Sequence, residues 1–261
     1  MGNRIDIAVN GAGGRMGQAV LRVSAGCEDV RIVAALVRPA ASGAAPTPAA
    51  PNTAFDVACS STLDAAVQPK VLIDFSGASG FDAALALARE RRMAFVCGST
   101  GLSAEQRTAM EDAASVIALL WSANFSLGVA ALMRAVRDTA RELPDWDCAI
   151  VETHHRNKRD APSGTALAFG RAVAEARGRE FDAVAQRDMR PNARNDGDIG
   201  FAVVRGGDVA GDHTVLFLGA GERIELTHRA GDRDIFARGA VAAARWIAGR
   251  APGLYTLEQV G

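Results

Sequence analysis

Residues 5–17, IDIAVNGAGGRMG, join a short apolar run to a cluster of glycines that opens a helix-like segment at 15–25. Glycine lets the backbone approach a pyrophosphate closely, and the free N–H groups and dipole of a helix N-terminus favour its charge. The spacing departs from G-x-G-x-x-G, because Met16 stands where the third glycine is expected. We interpret this strand–turn–helix start as a dinucleotide-binding turn; a Gly-rich turn that serves only close packing is the alternative.

The rest of the first half alternates strand-like and helix-like segments. These are the apolar runs 30–37, 71–75, 94–97 and 116–121 and the helix-like segments 81–92 and 103–115. Apolar runs without polar alternation, separated by helices, indicate parallel strands that are covered on both faces. The expected fold is therefore α/β, with a Rossmann-like doubly wound parallel sheet.

The pattern changes after Asn124 and predicts a smaller α+β domain with an open mixed sheet. The predicted elements are helices at 127–143 and 164–176, a strand at 146–153, a long polar loop at 177–198, and strands at 200–205, 212–218 and 222–229. Short Gly-rich turns between the last three strands predict an antiparallel meander. An open sheet has a face to cover, and oligomerisation is one way to cover it.

The last amphipathic segment, 235–250, is expected to return to the first domain. We therefore predict a dinucleotide-binding domain of residues 1–125 and 235–261, and a substrate-binding and oligomerisation domain of residues 126–234. The Ala- and Pro-rich stretch 39–54 has no apolar period and is interpreted as a flexible surface loop.

The composition excludes several classes of function. The chain has 261 residues with 30 acidic and 29 basic side chains, so its net charge of -1 argues against nucleic-acid and polybasic membrane-surface partners. No apolar run approaches the roughly 20 residues of a membrane span. The four cysteines lie far apart without a CxxC pair, which indicates buried thiols of a reducing, cytoplasmic compartment and neither disulfides nor a zinc site.

Arg38 follows the second strand, at the position that meets the adenosine ribose in dinucleotide sites. An acidic residue there would bind the 2′-hydroxyl of NADH, whereas an arginine pairs with the 2′-phosphate of NADPH. We expect NADPH to be preferred, with NADH use possible. A solvated arginine at a strand end is the alternative.

The densest group of reactive side chains is residues 152–165, ETHHRNKRDAPSGT. Histidine suits proton transfer near neutrality, and Lys158, one of only two lysines in the chain, offers a cation for a carboxylate or a proton. The helix start at Ser163–Thr165 can hold an anion through its N–H groups. Together these groups indicate a small, negatively charged substrate that must be protonated.

Four alternatives compete for this segment. A charged loop is often only solvated, and Ser163 can be only a helix N-cap. His154 and His155 are adjacent on an extended segment and point to opposite faces, so we expect no metal site. A hydrolase triad of Ser163, His154 and Asp160 lacks the G-x-S-x-G elbow. Elsewhere, segments 98–101 and 122–126 follow strands at the ligand-binding edge of the sheet, and His213 and His228 are expected to be hydrogen-bonded structural residues.

With these residues, the chain resembles the bacterial 4-hydroxy-tetrahydrodipicolinate reductases, formerly called dihydrodipicolinate reductases, over almost its whole length. The most specific shared string is HHRNKRDAPSGTA at 154–166. The other shared strings are GAGGRMG at 11–17, DFS at 74–76, GSTG at 98–101, ANFS at 123–126, GDHT at 211–214 and GLY at 253–255.

The resemblance implies a cytoplasmic homotetramer of lysine and diaminopimelate biosynthesis. It would transfer a hydride from NADPH or NADH to a small cyclic dicarboxylate, the dehydrated 4-hydroxy-tetrahydrodipicolinate. By position, His154 is the general acid/base, Lys158 the proton donor or carboxylate partner, and His155, Gly164 and Thr165 bind substrate. The implied cofactor contacts are Gly11, Ala12, Gly13, Gly14, Arg15, Met16, Arg38, Gly98, Ser99, Thr100, Ser122, Ala123, Asn124 and Phe125.

Two features differ from many relatives: Val37 replaces an acidic residue beside Arg38, which favours NADPH, and the stretch 39–54 is unusual. Two other functions remain as alternatives on the same scaffold. One is another NADP-dependent oxidoreductase acting on a small carboxylate or a carbonyl compound. The other is a non-catalytic dinucleotide sensor, although the chain has neither a basic surplus nor a spare domain for DNA.

Overall fold

The computed structural model of the protein describes residues 4–38, 57–187 and 194–260. The chain forms two compact units, Met1–Leu127 with Asp234–Gly261, and Gly128–Arg233. We call them the parallel-sheet unit and the mixed-sheet unit. The sequence placed the two changes of domain at 125/126 and 234/235.

The described elements are as follows. The strands are β1 (Ile5–Asn10), β2 (Val30–Leu36), β3 (Cys59–Ser60), β4 (Val71–Asp74), β5 (Ala94–Cys97), β6 (Ala118–Trp121), β7 (Asp147–His154), β8 (Ala185–Gln186), β9 (Ile199–Arg205), β10 (Asp212–Leu218), β11 (Arg223–Arg229) and β12 (Gly253–Tyr255). The helices are α1 (Arg15–Ala25), α2 (Ala78–Glu90), α3 (Ala104–Ala113), α4 (Leu127–Glu142), α5 (Gly164–Ala176), α6 (Phe181–Val184) and α7 (Asp234–Ile247), and Leu257–Gln259 forms a 3₁₀ turn.

The parallel-sheet unit has seven strands in the order β12-β6-β5-β4-β1-β2-β3, and every neighbouring pair is parallel. All residues of β4 and β5 are buried, because helices cover both faces of the sheet. The helix α7 returns to this unit and packs against α1 and the central strands. The doubly wound fold predicted from unalternated apolar runs is confirmed.

The mixed-sheet unit has the strand order β11-β10-β7-β9-β8. Residues alternate between buried and half-exposed along β7, so one face of the sheet forms a core with α4 and α5. On the opposite face, Val151 and Leu216 remain half-exposed and Val204 is exposed. The prediction of a second, open mixed sheet is confirmed.

The predicted meander is wrong for β9. This strand pairs parallel with β7 and β8, whereas β10 is antiparallel to β7 and β11, so β7 lies between β9 and β10. The six-residue connection 206–211 passes the end of β7 and bonds to it, through Gly206 N to His154 O (2.9 Å) and Arg156 N to Gly207 O (3.2 Å). Because this connection crosses the end of β7, the two strands that it joins, β9 and β10, lie on either side of β7.

Other predictions differ in detail. The segment 177–198 is not one loop, since α6 and β8 form within it, and its residues 188–193 lie outside the described part. The loop predicted at 39–54 lies entirely outside the described residues. All four cysteines are free, but only Cys97 and Cys148 are buried. Among the described residues, the helices are too short or too polar to cross a membrane.

Candidate active site

The Gly-rich turn lies between β1 and α1, at the carboxyl end of the central strand. No side chain caps the described N-terminus of α1, which begins after Gly14. A Cβ atom at Gly17 would overlap the carbonyl oxygen of Gly11, so only glycine allows the helix this close to the turn. Although Met16 breaks the strict motif, the glycine one position later does the packing that the motif requires.

A cavity of about 920 Å³ opens beside this turn. Its lining includes Gly11, Gly13, Gly14, Val37, Arg38 and Ser79. Arg38 donates a hydrogen bond from Nη2 to Ser79 Oγ at 2.8 Å, which holds the guanidinium at the rim of the cavity. The volume, the bare helix N-terminus and the cation fit the phosphates and adenosine of a dinucleotide.

A second, smaller cavity of about 190 Å³ lies in the same unit. It is lined by the predicted residues Met16, Gly98, Ala123, Asn124 and Phe125, together with Phe75 and Phe236. Phe75 and Phe125 pack edge to face with their ring centroids 5.6 Å apart. The contribution of Phe236 was missed, because α7 lies more than 100 residues further along the chain and its apolar residues predicted only packing.

The other predicted cofactor residues line neither cavity. Arg15 and Thr100 are exposed, and Ala12 and Ser99 are buried behind the turn. Ser122 is half-buried and donates from Oγ to Asn124 O at 2.7 Å. Ala12 N donates to Leu36 O at 3.0 Å and thereby joins the turn to β2.

Asp74 organises the three loops around these cavities. The carboxylate is fully buried and accepts hydrogen bonds from Asn10 Nδ2 (2.7 Å), Ser76 N (3.2 Å) and Ser99 Oγ (2.6 Å). Ser99 Oγ in turn accepts from Gly77 N at 2.8 Å. One side chain at the end of β4 therefore connects the turns that follow β1, β4 and β5.

His154, the predicted general acid/base, is the last residue of β7 and is buried. Its Nδ1 lies 2.5 Å from Oε2 of Glu152. A Cβ atom at Gly211 would lie 2.9 Å from His154 Nε2, and Gly211 has a φ of 155°, so glycine leaves room for the ring. The Gly-Asp-His-Thr string of the sequence thus packs against the histidine.

Glu152 was not predicted as a site residue. The structure places it in this site, where its side chain is only 1 % exposed. It forms a bidentate pair with Arg205, at 2.8 Å for both Nη1–Oε2 and Nη2–Oε1, and Oε1 also accepts from Ser163 N at 3.0 Å. Burial alone would raise the pKa of this carboxyl, but hydrogen bonds from Arg205, His154 and Ser163 hold the pKa below its usual range. The sequence signal that could have identified Glu152 is an acidic residue inside a predicted strand, two positions before His154.

Burial lowers the pKa of His154, and Glu152 offsets part of that effect. At neutral pH the imidazole is therefore neutral, and an ionised carboxylate at Nδ1 requires the proton to sit on that nitrogen. The other nitrogen, Nε2, is left to exchange protons.

Ser163 caps α5, since its Oγ accepts from Ala166 N at 3.2 Å. His213 Nε2 lies 3.0 Å from the same hydroxyl, and its ring stands edge to face with His154 at 5.1 Å. Burial lowers the pKa of His213 to about 4, so this histidine stays neutral. The expected N-cap and the expected hydrogen-bonded histidine are both present.

The remaining predicted residues surround this group. Lys158 forms an ion pair with Asp160 at 2.8 Å and lies close enough to His154 to lower its pKa. Gly164 and Thr165 are the first residues of α5, and the Cβ position of Gly164 faces open space. His155 is half-buried just after β7. No group of three potential ligands in the described residues is placed to hold a metal ion.

Both units are similar to known proteins. Residues 5–125 match the family described as "Dihydrodipicolinate reductase, N-terminus", and residues 128–260 match "Dihydrodipicolinate reductase, C-terminus". A 4-hydroxy-tetrahydrodipicolinate reductase of Stenotrophomonas maltophilia is 46 % identical over 97 % of this chain and 96 % of its own length. The enzyme of the same name from Caulobacter vibrioides is 44 % identical over 100 % and 98 %.

Solved structures agree on the fold. Dipicolinate-bound dihydrodipicolinate reductase from Paenisporosarcina sp. TG-14 has a TM-score of 0.81 at 24 % identity, covering 99 % of this chain and all of its own. The diaminopimelate dehydrogenase of C. glutamicum, in complex with its substrate, has a TM-score of 0.57 at 14 % identity, covering 100 % and 95 %.

Proposed function

This chain belongs to the dihydrodipicolinate reductase family, and we propose that it reduces 4-hydroxy-tetrahydrodipicolinate to tetrahydrodipicolinate in lysine and diaminopimelate biosynthesis. It is an NAD(P)H-dependent oxidoreductase. The observation that carries the proposed reaction is the contact of one buried carboxylate, Glu152, with both the proton-transfer residue His154 and the start of α5.

The reaction needs one hydride and one proton. Loss of the 4-hydroxyl group as water leaves an unsaturated ring, which is reduced when a hydride and a proton add to it. When bound, the reduced nicotinamide supplies the hydride. The chain must therefore hold a dianionic ring and deliver a proton.

The mixed-sheet unit supplies these functions. The N–H groups of Gly164 and Thr165, at the positive end of the α5 dipole, hold one substrate carboxylate. Lys158 and His155 bind the substrate beside them. The negative charge of the bound substrate favours protonation of His154 at Nε2, from which the one proton passes to the ring, and Lys158 is the alternative donor of that proton.

The parallel-sheet unit holds the dinucleotide. Gly11, Gly13 and Gly14 form the cradle for the pyrophosphate, and the 190 Å³ cavity with Asn124 and Phe125 receives the nicotinamide. Arg38 pairs with a 2′-phosphate. Because Val37 adds no acidic group for a 2′-hydroxyl, NADPH is the preferred cofactor and NADH a possible one.

The open face of the mixed sheet is the proposed site of self-association into a homotetramer. Val151, Val204 and Leu216 on this face are at least partly exposed in the single chain. Burial of such a face between subunits removes apolar surface from water. Sedimentation at micromolar protein should give the mass of four chains, and a monomer would contradict the assembly.

The test of the reaction is a coupled assay. The unstable substrate is made in situ from pyruvate and aspartate semialdehyde by a synthase, and nicotinamide absorbance is followed with NADPH and NADH separately. Fast oxidation that depends on the synthase supports the reductase. The rate ratio of the two cofactors measures the preference in the same run.

Two outcomes distinguish the alternatives. Oxidation of NADPH by other carboxylates or carbonyl compounds, but not by the synthase product, would indicate a different oxidoreductase. Binding of both dinucleotides without turnover of any substrate in the panel would indicate a sensor.

A further inference from the structure

We propose that Glu152 and Arg205 are positioning residues for His154: the carboxylate fixes the tautomer and the orientation of the imidazole, and the guanidinium fixes the carboxylate. This inference rests on the proposed role of His154 in proton transfer. Neither residue touches the reacting atoms in this scheme, and both act through the histidine.

The hydrogen bonds of Glu152 occupy both carboxylate oxygens. Oε1 accepts from Arg205 Nη2 at 2.8 Å and from Ser163 N at 3.0 Å, and Oε2 accepts from Arg205 Nη1 at 2.8 Å and from His154 Nδ1. A carboxylate has about four lone-pair sites, so these four donors saturate it. The side chain is held in one orientation and has no site left for water.

The strand register produces this arrangement. Glu152 and His154 are two residues apart on β7 and therefore share a face of the sheet. In the parallel pair with β9, Arg205 lies opposite His154, and in the antiparallel pair with β10, His213 lies opposite Glu152. The guanidinium also donates to Asp160 O at 2.7 Å, which connects it to the loop that carries Lys158.

Stability alone is a weak reason for such a group. Burying an ion pair costs desolvation of both charges, and apolar residues of similar volume are often as stable. The Glu152 side chain is 1 % exposed and that of Arg205 is 19 % exposed, so the pair carries this cost. Its placement against an imidazole nitrogen offers a compensating use, because a fixed tautomer leaves Nε2 as the nitrogen that exchanges a proton.

The charges around His154 act in opposite directions. Glu152 raises its pKa, whereas Lys158 and Arg205 lower it together with burial. His213 from β10 is neutral near pH 7, and Asp160 is paired with Lys158. Loss of the Glu152 charge should lower the pKa of His154, and loss of the Arg205 charge should raise it.

The experiment combines turnover with NMR of the histidine side chains. The protein contains four histidines, so the long-range ¹⁵N–¹H signals of His154 are assigned by comparison with His154→Gln. The variants are Glu152→Gln and Arg205→Met, with Glu152→Asp and Arg205→Lys as charge-conserving partners. Asp138→Asn is the matched control, because Asp138 pairs with Arg141 at the exposed surface of α4.

In the wild type we expect the Nδ1–H tautomer of His154. In Glu152→Gln we expect a mixed or Nε2–H tautomer, a lower His154 pKa and a kcat about 10²–10⁴-fold lower, because the imidazolium that donates the proton loses its carboxylate partner. Arg205→Met should raise the His154 pKa. Glu152→Asp and Arg205→Lys should recover part of the rate, and Asp138→Asn should change nothing.

An unchanged tautomer and an unchanged His154 pKa in folded Glu152→Gln would overturn the proposal, even if kcat falls. If Glu152→Gln does not fold, Arg205→Met decides, because an unchanged His154 pKa in that folded variant would also overturn the proposal. Wild-type turnover in His154→Ala would instead refute the role of His154 in the reaction, and the NMR result would still decide whether Glu152 orients the ring.

Discussion

A buried carboxylate lies near the carboxyl end of a central strand in each unit, Asp74 on β4 and Glu152 on β7, and their partners differ. In the described structure the partners of Asp74 are neutral donors, on the turns after β4 and β5 and at the ends of β1 and β5. Glu152 instead contacts the guanidinium of Arg205 and the imidazole of His154. A carboxylate among neutral donors orders backbone turns, whereas one between a cation and a histidine also sets the state of a titratable group.

The largest expected effect is on turnover, through the proton-transfer roles proposed for His154 and Lys158. Replacing His154 or Lys158 by alanine should lower kcat about 10²–10⁴-fold, the range of positioned proton transfer, and leave dinucleotide affinity unchanged because the cradle lies in the other unit. Coupled-assay kinetics and a fluorescence titration with NADPH measure the two quantities. Near wild-type turnover in both variants would contradict the assignment of roles.

The carboxylate of Asp74, whose partners are neutral donors, should contribute to the stability of the fold. Asp74→Ala leaves Asn10 Nδ2, Ser99 Oγ and Ser76 N without their acceptor, so we expect the free energy of unfolding to fall by about 2–5 kcal/mol. Urea denaturation measures the loss. Asp64→Ala is the control, because Asp64 is exposed, its carboxylate accepts a local bond from Ala66 N, and its bonds through the backbone oxygen are kept in the variant. A loss no larger than in this control would remove the proposed ordering role of Asp74.

Acid should destabilise the mixed-sheet unit, because it contains three histidines with lowered pKa values, His154, His213 and His228. The pKa of His213 is about 4 in the folded protein and about 6.5 when unfolded. Between these values the unfolded state binds more protons, so stability falls as pH drops from about 6.5 towards 4.

From this histidine alone we expect a loss of about 2 kcal/mol between pH 7 and pH 5. Unfolding of the wild type and of His213→Asn at both pH values measures it. His154 and His228 also have lowered pKa values, so the slope should become smaller in the variant without vanishing. An equal slope in both proteins would show that His213 does not contribute.

The last expected effect concerns cofactor choice. Arg38→Ala removes a charge-assisted hydrogen bond to the 2′-phosphate, worth about 1.5–3 kcal/mol, so KM for NADPH should rise about 10- to 100-fold. KM for NADH should stay nearly constant. Arg31→Ala, which breaks an exposed pair with Asp6 on the same sheet, should affect neither. Equal losses for both cofactors would argue against a 2′-phosphate contact.

Local patterns predicted most of the elements. The helices 15–25 and 164–176 and the strands 94–97 and 212–218 begin and end where the sequence placed them. Turn glycines, the capping box at Ser103 and the alternation or continuity of apolar residues act within a few residues, so a single chain displays them. The same patterns do not specify which strands become neighbours, which is why the position of β9 was wrong.

The residues of the candidate site also fall into two groups, those that a local sequence pattern marked and those that only the fold brought in. The string from His154 to Thr165 is contiguous, and its reactive side chains were visible together. Arg205 lies 53 residues from Glu152, and Phe236 comes from a helix predicted only to return to the first domain. Nothing local marks a surface-type residue such as arginine as the partner of a buried carboxylate.

By itself, the sequence determined that a glycine turn opens a parallel α/β unit and that a histidine–lysine string precedes the start of a helix. These depend on short-range backbone sterics, helix capping and side-chain chemistry. Only the tertiary structure decided that Glu152, Arg205, Ser163 and His213 surround His154, and that Asp74 joins three loops. Burial and strand register bring such groups together, and both are properties of contacts between residues far apart in the chain.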